Sequence, residues 1–190
     1  MKILYLVRHG EALDDVENLY GGSADHEPTE KSLKDAASFA ETFKEKGIEI
    51  VIASPYLRAK NPATIIAQKL GVSLDFENDL REKNRYGALS GMTKEAAREK
   101  YPELVKKIES FQDIEGAEKE DDFVKRVKGA FEKIWQRKEK TKLVLTHMGV
   151  IRAGLGFQGG VIHIDHYGWV KTAKNDGKWE ILESSGLKYL

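Results

Sequence analysis

The stretch Ile3-Leu4-Tyr5-Leu6-Val7-Arg8-His9-Gly10-Glu11 decides how the rest of the chain is read. Five apolar residues in a row, several of them β-formers, describe a strand buried on both faces, the kind found in parallel sheets. The run stops at Arg8-His9-Gly10, which sets a cation and an imidazole just past the strand's carboxyl end. In open α/β sheets ligands bind in the crevice outside those ends. Gly10 lacks a Cβ, so a ligand is expected to approach the backbone closely there.

Three further apolar runs share this character: residues 49–53, the short run 72–76, and 142–146, which ends at His147. Between them lie helical patterns. Leu33, Ala36, Ala37, Ala40 and Phe43 share one face of a helix expected from about Glu30 to Lys46, with Gly47 as its stop. Ser54-Pro55 reads as cap and first position of the next helix, which Gly71 closes; Asn61-Pro62 predicts a kink or restart inside it. Thr93 caps a helix reaching about Lys100, and Pro102 begins another. Phe123, Val127, Ala130, Phe131 and Ile134 mark an amphipathic helix, and a short one covers about Val150 to Leu155. Residues 11–28 and 77–92 read as irregular, and long structureless loops inside compact domains are usually functional or disordered. Strands near Tyr167 to Ala173 and Lys178 to Leu182 form a hairpin turned at Asn175-Asp176-Gly177. This alternation gives an α/β fold: a mainly parallel sheet flanked by helices on both faces, with an edge hairpin near the C-terminus, in one domain over 1–190.

Composition narrows the classes. Thirty-one basic side chains balance 31 acidic ones, which argues against a general nucleic-acid binder while permitting a local basic pocket. With no cysteine there is no disulfide framework, thiolate metal site or cysteine nucleophile. Only five apolar residues follow Met1-Lys2, too few for a signal peptide, and no run approaches a membrane span, so a cytoplasmic protein is expected. Oligomeric state is left open, a homo-oligomer included.

Three of the four apolar runs end in functional polar groups: Arg8-His9, Ser54 with Arg58 a turn later, and His147. Right-handed crossovers place like ends of parallel strands on one rim, so these groups should converge. Two arginines, two histidines and nearby helix N-termini suit a dianionic phosphoryl group, with bidentate donors matched to its oxygens. Phosphoryl transfer needs mostly positioning and charge neutralisation, which this set supplies without a metal. His163-Ile164-Asp165-His166 does not change that expectation: in extended chain, positions three apart point to opposite faces and cannot share an ion.

Arg8-His9-Gly10-Glu11 resembles the signature of the histidine phosphatase superfamily, the phosphoglycerate mutase-like proteins. The likeness continues in order along nearly the whole chain. It takes in Ser54-Pro55-Tyr56-Leu57-Arg58-Ala59, then Arg81-Glu82 with Gly87 and Gly91, then Gly116-Ala117-Glu118 with Asp122-Phe123 and Arg126-Val127, and finally Thr146-His147-Met148-Gly149. The resemblance implies a ping-pong transfer in which His9 attacks phosphorus. Arg8, Arg58 and His147 would hold the equatorial oxygens, and Glu82 would serve as general acid and then base, with Glu11 the weaker candidate. A hydrogen bond to backbone from the second His9 nitrogen should fix the tautomer. The sequence departs from the pattern in three places. Asp15 replaces a usual asparagine beside the phosphohistidine, Pro62 replaces threonine, and Glu82 lies one residue further than usual from Gly87.

The preferred function is a phosphomonoester phosphatase acting on a small phosphorylated metabolite, with no cofactor. Arg85, Tyr86 and Lys94 resemble the substrate loop of a phosphoglycerate mutase, which makes such a mutase, with 2,3-bisphosphoglycerate as cofactor, the first alternative. Only 55 residues separate Gly91 from His147, where mutases carry a longer water-excluding insertion, and this favours hydrolysis. A silent phospho-ligand binding module is the second alternative.

Overall fold

A computed structural model of the chain describes residues 1–110, 112–157 and 162–190. The apolar runs form strands β1 (Ile3–Arg8), β2 (Ile50–Ala53), β3 (Ser73–Phe76) and β4 (Thr141–Thr146), followed by the hairpin strands β5 (Ile162–Asn175) and β6 (Lys178–Tyr189); β3, expected to be buried like the others, is instead a largely exposed edge strand with one neighbour only. They make one sheet in the order β3-β2-β4-β1-β5-β6. The first four are mutually parallel; β5 runs antiparallel to β1, and β6 antiparallel to β5. The α/β class and the edge hairpin are as the sequence indicated. The hairpin is longer than expected at both outer ends, because its paired backbone continues past the alternating residues that betray it.

Both faces of β1 are covered. Leu4 and Leu6 join Val144 and Ile52 under the helices α6 (Glu120–Gln136) and α7 (Met148–Leu155). Tyr5 and Val7 join Leu143, Val51 and Phe43 on the other face, under α2 (Glu30–Glu41) and α3 (Leu57–Leu70). That double burial is why the run carries no polar alternation. A smaller cluster, built on Tyr20, Leu89, Val105 and Ile114, unites α4 (Lys94–Lys100) and α5 (Pro102–Glu109) with the two long loops. Among the described residues no helix is long and apolar enough to cross a membrane.

Several local expectations are corrected. The first long helix ends at Glu41, and turns carry the chain to Gly47. Residues 11–28 are not all loop: a short helix α1 (Leu13–Val16) forms, its amino end closed by Asp15 Oδ2 accepting from the Ala12 N–H at 3.0 Å. Ser54 does not cap α3. Asp25 reaches from the preceding loop to accept the Leu57 N–H at 2.6 Å, which leaves the Ser54 hydroxyl for other work. Pro62 neither kinks α3 into two elements nor restarts it; the helix runs through as one.

Candidate active site

The parallel register builds the site. Arg8 pairs with Thr146, while Val7 and Ala53 both lie opposite Leu145, so His9, His147 and Ser54 leave the sheet side by side. The His9 N–H donates to Thr146 O at 2.9 Å and the Ser54 N–H to Leu145 O at 3.0 Å, extending the ladder into the site itself. The two imidazole rings lie 5.0 Å apart, nearly edge to face.

His9 is 7% exposed, and its Nδ1 stands 2.6 Å from Gly10 O. A carbonyl only accepts, so Nδ1 carries the proton and Nε2 keeps the lone pair. His147 is fully buried; its Nε2 meets Ser54 Oγ at 2.8 Å, and its buried Nδ1 has no partner among the described residues. Burial, reinforced by the Arg58 charge, holds both imidazoles well below the usual histidine range. The Gly10 carbonyl and Asp15 only partly counter this at His9. Both rings are therefore neutral at pH 7, as a nitrogen nucleophile requires.

Arg58 is 2% exposed, the largest fully buried side chain among the described residues. Its two terminal nitrogens donate to Ala24 O at 2.6 Å and Gly22 O at 2.8 Å, and its guanidinium lies 5.0 Å from the centre of the Tyr56 ring. These contacts fasten the 17–28 loop over the site but leave the charge without a carboxylate among the described residues. A buried cation so placed calls for an anion. Arg8 donates to Ile164 O at 2.7 Å and faces His166 Nε2 at 3.0 Å.

Glu82 arrives on a tightly held loop. Thr146 Oγ1 donates to Leu80 O, and Arg126 donates to the carbonyls of Asp79 and Arg81 while gripping the Glu118 carboxylate with two nitrogens at 2.6 and 2.8 Å. This explains the Gly-Ala-Glu and Arg-Val motifs: they form a brace for the acidic loop. Glu82 Oε2 accepts from the Gly149 N–H at 3.1 Å, and a Cβ on Gly149 would fall 2.3 Å from Glu82 Oε1. Glu11, by contrast, accepts from Thr29 Oγ1 and does not line the cleft.

The role read into Gly10 is corrected. A Cβ there would meet Ser32 Oγ at 2.2 Å and the Tyr167 ring at 2.4 Å, so the glycine serves protein packing, not ligand approach.

A cleft of about 1290 Å³ opens from Arg8, His9, Arg58 and Glu82. Arg85 and Tyr86 line it, with Tyr86 packed 4.8 Å from Tyr20. Lys94 does not: it opens α4 and gives its N–H to Asn18 O, away from the cleft wall. The rest of its lining mixes apolar residues such as Phe123, Met148 and Phe157 with charges of both signs, Lys125, Lys128 and Arg152 against Asp113, Glu120 and Asp121.

One participant was missed. His166 sits 3.0 Å from Arg8 and 3.3 Å from the Asp15 carboxylate. Simple strand alternation would not bring it there. The β5–β6 register shifts between Ile164 and Trp169, Tyr167 takes φ 56°, and Gly168 and Gly186 touch at a place where a Cβ on either would crowd its neighbours. Those two glycines are the signal that could have revealed the bulge. Asp15, which stands where an asparagine is usual, turns toward His166 and the Ala12 N–H. Burial raises its pKa, yet these partners and His9 together hold the carboxyl well below the usual range. Among the described residues no group of three or more His, Asp or Glu is arranged to hold a metal ion.

Comparison with known proteins agrees with this architecture. Residues 4–176 match the histidine phosphatase superfamily (branch 1). Over 107 residues the chain is 36% identical to a 2,3-bisphosphoglycerate-dependent phosphoglycerate mutase of Beijerinckia indica, a match taking in 54% of the chain and 51% of the relative. The chain thus spans about half the length of the curated mutase it matches. A putative phosphoserine phosphatase 2 of Hydrogenobacter thermophilus is 27% identical over 178 residues, 88% of the chain and 87% of the relative. The crystal structure of the α-ribazole phosphatase from Shigella flexneri superposes with a TM-score of 0.81 at 19% identity, over 94% of each chain, and shares the fold.

Proposed function

The chain belongs to the histidine phosphatase superfamily, and on that footing we propose that it is a phosphomonoester phosphatase working through a phosphohistidine on a small phosphorylated metabolite. The observation that carries this reading is the His9 tautomer: with Nδ1 committed to Gly10 O, the neutral ring offers Nε2 as nucleophile beside His147 and two arginines. Nε2 would attack phosphorus in line with the leaving alkoxide. Arg8, Arg58 and His147 would neutralise the equatorial oxygens, where charge accumulates. Glu82 would give its proton to the departing oxygen, then take one from the water that attacks the N–P bond, returning His9 and free phosphate. Such proton transfer contributes about 10²–10⁴-fold.

The reaction needs no resident cofactor in this reading, and a cytoplasmic setting is part of the same proposal. A mutase reading draws on Arg85 and Tyr86 in the cleft wall and on the mutase relative. A mutase must protect its phosphoenzyme from water, and the open, half-apolar cleft favours hydrolysis. The test is incubation with 3-phosphoglycerate and with other monoesters, with and without 2,3-bisphosphoglycerate, following free phosphate and 2-phosphoglycerate. Phosphate release from several esters, lost in His9→Ala, is expected; isomerisation without phosphate release would overturn the proposal in favour of the mutase.

A further inference from the structure

His166 Nε2 faces two groups that make opposite demands. Arg8, at 3.0 Å, can only donate, while the Asp15 carboxylate, at 3.3 Å, can only accept. One ring nitrogen cannot satisfy both. With Nε2 bare, His166 accepts from Arg8 and leaves Asp15 uncovered in the cleft wall beside His9. With Nε2–H present, as it is in one neutral tautomer and always in the imidazolium, the ring covers Asp15 and releases the Arg8 terminal nitrogen toward the phosphoryl oxygens.

We propose that His166 is a positioning residue that arbitrates between Arg8 and Asp15, and that the phosphoryl pocket binds a dianion best when His166 bridges to Asp15. The proposal rests on the phosphatase reading for its substrate class but stands on geometry of its own. The charged and titratable groups around the ring all bear on it. From β1 come Arg8 and His9, the latter with its ring 6.3 Å from that of His166. Asp14 and Asp15 come from α1, and Glu82 and Asp165 also act on Arg8. On the hairpin, Asp165 is engaged by Lys188 at 2.8 Å and His163 at 3.3 Å, which leaves Asp15 as the carboxylate that His166 itself meets. His166 does not line the cleft, so it acts through its two neighbours and not on substrate.

The experiment compares wild type, His166→Gln and Asp15→Asn between about pH 5.5 and about pH 8, where an imidazole changes charge. Three quantities are read: inhibition by inorganic phosphate, KM and kcat for p-nitrophenyl phosphate, and the ring nitrogen signals of His166 by NMR. Ionisation of phosphate and ester is common to the three proteins and cancels in their ratios. In wild type, phosphate affinity should fall about tenfold more across this range than in either variant, with the change in KM and little in kcat. His166→Gln, whose amide can accept from Arg8 and donate to Asp15 at once, should flatten the profile. Asp15→Asn should bind phosphate more tightly than wild type at the alkaline end. In that variant the Nε2–H signal of His166 should weaken at a given pH, and phosphate should strengthen it in wild type. Equal pH slopes in wild type and His166→Gln, or a His166 Nε2–H signal indifferent to both Asp15→Asn and phosphate, would overturn the proposal. The NMR arm decides it even in a protein that hydrolyses nothing, whereas absence of turnover counts against the phosphatase reading alone.

Discussion

Acidification should unfold this protein through its two buried imidazoles. His9 and His147 are held neutral by burial and by Arg58, whereas both become ordinary histidines once the chain unfolds. Below a pKa of about 6.5 the unfolded state takes up protons that the native state refuses, so stability falls as pH falls. An imidazole that stays neutral throughout contributes nothing to this slope at pH 7.5. At pH 5, proton uptake by its unfolded counterpart favours unfolding by about 2 kcal/mol, so the pair accounts for about 4 kcal/mol. The perturbation that isolates the effect is His147→Gln, which preserves a polar partner for Ser54 and removes one titrating ring. Urea unfolding of both proteins at pH 7.5 and pH 5, in buffers free of phosphate because a bound anion stabilises in its own pH-dependent way, reads the difference. Between the two conditions wild type should lose about 2 kcal/mol more than the variant, the carboxylate contributions being shared. Equal losses would refute the reasoning, because His147 would then be charging inside the folded protein.

Three further outcomes follow from the packing. Gly149→Ala places a methyl against the Glu82 carboxylate, so kcat for monoester hydrolysis should fall about a hundredfold while inorganic phosphate still binds; steady-state kinetics with phosphate inhibition checks this. Arg126→Met removes the bidentate grip on Glu118 and the donors to the 79–82 carbonyls. It should cost about 2–3 kcal/mol, a fall in Tm of roughly 5–10 °C, together with activity. Gly10→Ala meets Ser32 and the Tyr167 ring, so it should destabilise by about 1–3 kcal/mol; a variant of native Tm with impaired phosphate binding would restore the ligand-approach role for this glycine.

The amino-acid sequence by itself determined the parallel sheet and the meeting of Arg8, His9, Ser54, Arg58 and His147. The physical reason is simple: a strand buried on both faces has no polar alternation, so its carboxyl end is marked where the apolar run gives way to polar residues. Like ends of parallel strands share a rim. Glu82 was legible only as a motif; its placement depends on Arg126 and Glu118, more than thirty residues further along the chain. Tertiary structure alone decided the rest. Gly10 proved to serve Ser32 and Tyr167, and the cap of α3 came from Asp25, because both contacts join segments whose approach no local pattern encodes. His166 was invisible for a related reason: a bulge overrides the two-residue period of a strand, and only the paired strand, through Gly168 against Gly186, sets where the side chain of a bulged residue goes.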